Sequence, residues 1–275
     1  MFDEERKETR PMSPYKVYGK VNESDTPETL GQDWRYETLA DTFQLCECET
    51  TLPVFLKYLP REGRILESGC GTGRWVFYFR QKGFDITGID LAPTALERAK
   101  AYDPSAPVLL DDVLHSQFPD GTFDAAISLG VVEHFEEGPQ GALAELLRIL
   151  RDGGILLISV PISNIFRRFF VNHVRNVILW YRRRKGVRYA FAEYRYTPKQ
   201  FRAYLQEAGF EIFEVFPQDL LPPKALGLYI DFDFLNHKHK KLELNAFGSL
   251  MARVFRSISP WIACSGALWV CKKRC

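Results

Sequence analysis

The sequence predicts a doubly wound α/β domain built on a mostly parallel sheet. Three observations carry that expectation. Residues 64–75 read as a short strand, a glycine-rich turn and the first turn of a helix. Residues 86–90 read as a second strand that ends in an acid, Asp90. Residues 123–129 and 155–161 are mainly apolar runs, as expected of strands buried on both faces. Strands that alternate with helical patterns in this way point to βαβ units.

Taken in order, residues 1–35 are rich in charge and poor in apolar side chains, which predicts a flexible N-terminal arm. Residues 36–275 are expected to form one domain. Trp34, Tyr36 and Phe43 begin helical material, and Pro53 opens a helix that runs to Leu59. Pro60 and Gly63 break it before the first strand of the sheet. Ile65 and Leu66 are that strand, and Glu67 sits near its end. Gly69, Gly71 and Gly73 alternate through the turn. So tight a turn needs glycine for its backbone angles and for the close approach of a ligand. The next helix aims its free N–H groups and positive dipole end at whatever lies over the turn. Glu67, two residues before the first glycine, would repel a pyrophosphate and suits a ligand carrying an ammonium group. Asp90 lies 17 residues after Gly73. That is close to the spacing at which a second strand offers a carboxylate to a ribose diol.

Together these residues resemble the class I S-adenosylmethionine (SAM) dependent methyltransferases of the small-molecule type. The first motif of that family matches residues 65–73 and the second matches 88–90. A third match is the strand 108–110 followed by Asp111, Asp112 and Val113, and then the run 118–124. The fourth is residues 130–135, with Glu133 and His134. The resemblance covers roughly residues 50–217. It implies a seven-stranded sheet with helices on both faces and the last strand antiparallel. It implies SAM as cofactor, held by Glu67, Gly69, Cys70, Gly71, Gly73, Asp90, Leu91, Asp112, Val113 and Leu129. Asp112, rather than Asp111, is assigned to the adenine amino group, because Phe118 opens the connection to strand four six residues later. Turn chemistry is the other reading of this aspartate pair. His134 is the candidate catalytic residue, as a base for an acceptor hydroxyl. The reading favoured is that it hydrogen-bonds the loop and shapes the site, since the Glu-His pair serves many substrates in the family. Family helices placed near residues 34–58 cover the cofactor, so Trp34 and Tyr36 could touch it, although core packing is favoured.

Leu143, Leu146, Leu147 and Leu150 predict a helix stopped by Gly153 and Gly154, and strand five follows at 155–161. Thr197 is a predicted N-cap with Pro198 in the first turn. A strand at 211–216 and a last strand at 262–271 complete the sheet. That leaves 162–196 and 218–258 as insertions, expected to cover the substrate. The second contains an acidic aromatic stretch at 229–234 and a basic cluster at 237–241. The first is more informative. Residues 164–189 hold eight basic side chains and no acid. The whole chain carries +1, so without those eight the remainder carries −7. Phe166, Phe169, Phe170, Val174, Val177, Ile178 and Tyr181 recur there at helical spacing. Such a segment suits a helix packed on the core with solvated arginines, a lid over an anionic acceptor, or peripheral contact with a membrane. Nucleic acid is not the expected partner.

Composition narrows the function. The 275 residues are 46% hydrophobic and 26% charged, ordinary for a globular chain. Six cysteines at these spacings make no zinc site, and no metal is expected. With no signal-peptide pattern, a cytoplasmic protein is expected, with membrane association the open question. The glycine spacing departs from the dinucleotide fingerprint, which argues against a nicotinamide-dependent dehydrogenase. Neither the Asp/Asn-Pro-Pro-aromatic tetrad of amino methyltransferases nor a Pro-Cys nucleophile is present. The expected reaction is methyl transfer to a small-molecule or lipid-linked acceptor, on oxygen. The alternatives are a non-catalytic SAM-fold binding protein and a methyltransferase acting at the membrane surface.

Overall fold

The computed structural model describes residues 13–21, 43, 45–47, 49–165, 167–218, 235, 244–262 and 264–274. Trp34, Tyr36 and the clusters at 229–234 and 237–241 lie outside the described residues. A seven-stranded sheet forms the centre. Its strands are β2 (Arg64–Ser68), β3 (Asp85–Asp90), β4 (Val108–Leu110), β5 (Phe123–Leu129), β6 (Leu150–Pro161), β8 (Phe210–Gln218) and β9 (Gly266–Lys273). They lie in the order β4-β3-β2-β5-β6-β9-β8. Neighbours from β4 through β6 are parallel, and β9 runs antiparallel to both β6 and β8. The expected architecture is therefore the one found.

Alternation along each strand explains the two layers. Ile65, Ile127, Leu157, Leu268 and Val270 face one side, where they meet Phe55, Trp75, Val76 and Phe79. These aromatic and apolar residues come from α1 (Leu52–Tyr58) and α2 (Arg74–Gln81), and α3 (Pro93–Tyr102) packs on the same side through Leu96 and Ala99. Leu66, Ala126, Leu156, Ile158 and Trp269 face the other side. There they meet Leu143 and Leu146 of α4 (Gln140–Ile149) and Phe201 and Leu205 of α6 (Pro198–Glu207). A strand with core on both faces has no solvent side, which is why the centres of β5, Ala125–Ile127, and of β6, Ile155–Ile158, are apolar throughout. Strand order reverses between β2 and β5, and in open sheets that point opens a crevice at the carboxyl ends.

Thr197 caps α6 in both directions. Its hydroxyl accepts from Gln200 N at 3.2 Å, and Gln200 Oε1 accepts from Thr197 N at 2.8 Å. This is a capping box, formed by the predicted N-cap.

Four local expectations change. Residues Tyr15–Lys20 fall within the expected flexible arm yet form a strand, β1, antiparallel to β7 (Tyr189–Arg195). Strand β7 itself lies inside the first insertion, which holds a π-turn at Arg167–Val171 and helix α5 (Asn172–Arg184) before it. The predicted helix stop at 151–154 is instead an irregular start to β6, with Gly153 at φ 72° and a register shift opposite β5. The last strand begins at Gly266, since Pro260–Ile262 is a short 3-10 turn. Helix α7 (Ala246–Ile258) occupies the end of the second insertion.

Candidate functional site

The glycine turn is fastened to the end of β3. Gly69 N and Cys70 N both donate to Ile89 O, at 2.8 and 2.9 Å. Gly71 N donates to Asp90 Oδ2 at 2.7 Å, and Ala92 N donates to Asp90 Oδ1 at 2.8 Å. Gly69, Gly71 and Gly73 have φ of 78°, 55° and 77°, angles that L side chains rarely adopt. A Cβ at Gly69 would also collide with Val131 from the loop after β5. Gly88, which opens the second motif, serves the same packing. A Cβ there would lie 2.7 Å from Cys70 Sγ and 2.8 Å from Val76 Cγ2. The bare backbone of β3 lets the turn lie down on it.

Glu67 sits beneath this turn rather than over it. It is 4% exposed and accepts from Val76 N, in the first turn of α2, at 3.1 Å. Burial pushes its carboxyl up to about 8, against the pull of Arg74 and the Val76 N–H. Asp90 is half-buried at the strand end. A carboxylate offers about four lone-pair sites, and the two backbone bonds leave each Asp90 oxygen able to accept again. Leu91 beside it is 52% exposed. Asp111 is consumed by structure: Asp112 N donates to its Oδ1 at 2.9 Å and Gln117 N to its Oδ2 at 3.0 Å. Among the described residues the Asp112 carboxylate accepts only from Leu114 N, at 2.8 Å, and its Oδ2 lies 3.8 Å from His115 Nδ1. Of the pair, Asp112 is therefore the one left with a carboxylate oxygen toward solvent. Val113 is buried against the sheet, and Leu129 is half-buried where β5 ends.

On the other side of the crevice, Val132–His134 forms a 3-10 turn. His134 Nδ1 lies 2.7 Å from the Ala192 carbonyl of β7. A carbonyl only accepts, so Nδ1 carries the proton and a neutral ring keeps its lone pair on Nε2. Burial would lower the pKa of this imidazole, but the ring retains exposed surface. The Glu133 carboxylate and the Ala192 carbonyl outweigh burial, and the net direction is up. Tyr194 adds a second tie by donating its hydroxyl to Glu136 O at 2.8 Å. The β1–β7 pair thus covers the loop after β5.

Sequence reading missed Glu133. It is fully buried, and burial lifts its carboxyl up to about 7. Its Oε2 and the Tyr196 hydroxyl lack hydrogen-bond partners among the described residues. It read as half of a Glu-His pair, with nothing to mark it as the inward half. Arg167 was grouped with the solvent-facing bases. It is 1% exposed and donates from Nη1 to Ile162 O at 3.0 Å and Ser265 O at 2.8 Å.

Comparison with known proteins places the family and the fold. A family described as a methyltransferase domain matches residues 29–215. A malonyl-[acyl-carrier protein] O-methyltransferase of Serratia marcescens is 38% identical over 96 residues, which cover 35% of this chain and 37% of the relative. The 2-methyl-6-phytyl-1,4-hydroquinone methyltransferase of a Synechocystis species is 34% identical over 108 residues, 38% of this chain and 34% of the relative. The match thus spans little more than a third of either relative's length. Among solved structures, a SAM-dependent methyltransferase from Methanosarcina mazei superposes with a TM-score of 0.55 at 17% identity. That alignment covers 81% of this chain and 97% of the other. At that identity the likeness establishes the fold.

Proposed function

The chain belongs to the methyltransferase-domain family, and on that premise we propose that it transfers a methyl group from SAM to oxygen of a small-molecule or lipid-linked acceptor. The observation that carries this reading is the glycine turn locked through Asp90 to the end of β3, beside the point where strand order reverses. The residues fit SAM. Asp90 has unused lone pairs for a ribose diol, Leu91 offers an exposed apolar side chain, and Asp112 keeps a free carboxylate oxygen. Gly69, Cys70, Gly71 and Gly73 leave backbone rather than side chains at the N-terminal end of α2. Val113 and Leu129 complete the walls. Glu67 acts through the turn it braces from below.

SAM, when bound, supplies an electrophilic methyl group on a sulfonium. The chain's own task is alignment, which in general lowers a barrier by several kcal/mol (roughly 7–11 at the upper limit). His134 anchors β7 over the site through Nδ1, and its Nε2 is the base available to an acceptor hydroxyl. The oxygen acceptor is supported by the malonyl-carrier O-methyltransferase among the relatives, and the lipid-linked form by the phytyl-bearing hydroquinone of the other.

Titration calorimetry tests the cofactor: SAM should bind and NAD should not. Tight NAD binding without SAM binding would overturn the reading. Incubation with labelled SAM and hydroxyl or carboxyl acceptors tests turnover. A folded protein that binds SAM and methylates no acceptor class supports a non-catalytic role instead. His134→Gln should lower kcat on a hydroxyl acceptor by about 10²–10⁴ and flatten its rise with pH, while SAM affinity stays the same.

A further inference from the structure

Helix α5 packs by its polar face and presents its apolar face to solvent. Only Asn172 of its thirteen residues is fully buried. Val174, Val177, Ile178 and Tyr181 share one face at helical spacing. They are 55%, 66%, 44% and 55% exposed. The opposite face makes the polar contacts: Tyr15 donates its hydroxyl to Asn176 Oδ1 at 2.9 Å, and Asn172 Nδ2 lies 3.4 Å from Ser163 Oγ. At about 100° per residue, Arg182 and Arg184 fall on the two flanks of the apolar stripe. Lys185 lies with its ammonium 5.8 Å from the centre of the Tyr181 ring. The helix has no acidic residue, nor has the segment around it from 164 to 189.

We propose that this outward face of α5 seats on an anionic membrane surface. An apolar stripe flanked by arginines matches a bilayer interface, with the stripe at the acyl boundary and the guanidinium groups among the headgroups. Charge complementarity selects the anionic leaflet, since each basic side chain near it is attracted. The rest of the molecule supports the orientation. Arg167 is buried, and without the seven other bases of 164–189 the chain sums to −6, so an anionic surface attracts this segment and repels the remainder. A second copy of the chain fits less well, because a two-fold contact would bring arginines against arginines. A nucleic acid would use the bases and leave the aliphatic stripe unexplained. No helix of the described residues is long and apolar enough to cross a membrane, so the contact is peripheral. Helix α5 leads into β7, whose Ala192 holds His134, so docking brings the acceptor side of the crevice toward the lipid.

This docking goes beyond the proposed reaction and stands without it, since vesicle binding requires neither SAM nor an acceptor. The test is co-sedimentation of the full chain with phosphatidylcholine vesicles, with and without phosphatidylglycerol. The full chain should pellet with the anionic vesicles, less so as salt rises, and hardly at all with phosphatidylcholine alone. Arg182→Gln with Arg184→Gln should lower the partition coefficient by about thirtyfold. Val174→Ser with Val177→Ser and Ile178→Ser should lower it by at least about tenfold. Circular dichroism and thermal melts should match the parent for both variants, because the altered side chains are exposed. Failure of the parent chain to pellet would overturn the proposal, as would variants that pellet like the parent. Sedimentation velocity without vesicles supplies the remaining arm: a dimer abolished by the serine variant would assign the stripe to a second copy and overturn the membrane contact.

Discussion

Helices α2 and α5 are both amphipathic, and they use their apolar residues in opposite ways. In α2, five of eight residues, Trp75 to Phe79 in unbroken succession, are buried. The Trp75 ring stacks on Phe79 with centroids 5.4 Å apart and meets Phe55 edge-on at 4.9 Å. In α5, which is longer, Val174, Val177 and Ile178 look outward and an asparagine is buried. Periodicity reports that a helix has two faces. It does not report which face meets the protein. That depends on what the neighbouring strands offer, and β2, β5 and β6 offer α2 an apolar layer to pack on.

The sharpest way to break this contrast is to truncate matched positions. Trp75→Ala should destabilise the fold by about 3–5 kcal/mol, the usual range for a large aromatic removed from a core, read by denaturant unfolding. A loss under about 1 kcal/mol would mean that α2 is no better packed than α5. Next in size is Asp90→Ala. Each charge-assisted bond to a ribose hydroxyl contributes roughly 1.5–3 kcal/mol, so SAM affinity should fall more than about tenfold. Calorimetry on the folded variant decides it, and an unchanged dissociation constant would remove Asp90 from the site.

Glu67 gives a pH-dependent test of the same half. Burial holds its folded pKa at about 8, above the 4.5 of an ordinary glutamate. A raised pKa contributes stability that is fully present below the unfolded value and is lost as pH rises through the folded value. Between those limits the parent should lose up to about 1.4 kcal/mol per pH unit from this one group. Glu67→Gln should remove that part of the slope without SAM present, and parallel stability curves would show that the carboxyl is ionised throughout. The smallest expected effect belongs to α5: Val177→Ala should change stability by less than about 0.5 kcal/mol. A larger loss would mean that its side chain is covered in solution.

The glycine-turn half of the fold was legible because its signals are local. A strand, three glycines and an acid at the next strand end lie within residues 65–90, and the structure brings Gly71 and Asp90 into direct contact. The capping box at Thr197 is equally local. The choice of Asp112 over Asp111 rested on spacing, and what spacing did not show is that both Asp111 oxygens accept backbone bonds, from Asp112 and Gln117. What escaped was long-range. Strand β1 looked like part of an arm because its partner, β7, lies across most of the chain, with Tyr15 opposite Arg195. Arg167 looked like one base among eight because its acceptors, Ile162 O and Ser265 O, come from separate strand ends. Gly88 could not declare its purpose until Cys70 and Val76 were seen to occupy the space of its missing Cβ.

The pairing of β1 with β7 also bears on how the protein opens. Among the described residues this two-stranded ribbon pairs with the seven-stranded sheet only through the single Ile162–Tyr196 bridge just past β6 and β7, and its residues are mostly half-buried, whereas β2 and β5 are largely enclosed. Its closure waits on contacts between segments far apart in the chain, and such contacts form late in folding. Elements of this kind belong to the low-stability end of a native protein and can detach while the central sheet stays intact. Backbone amides of β1 and β7 should therefore exchange with heavy water well before those of β2 and β5. Each detachment would break the His134–Ala192 bond and release the loop after β5 from its tie to β7.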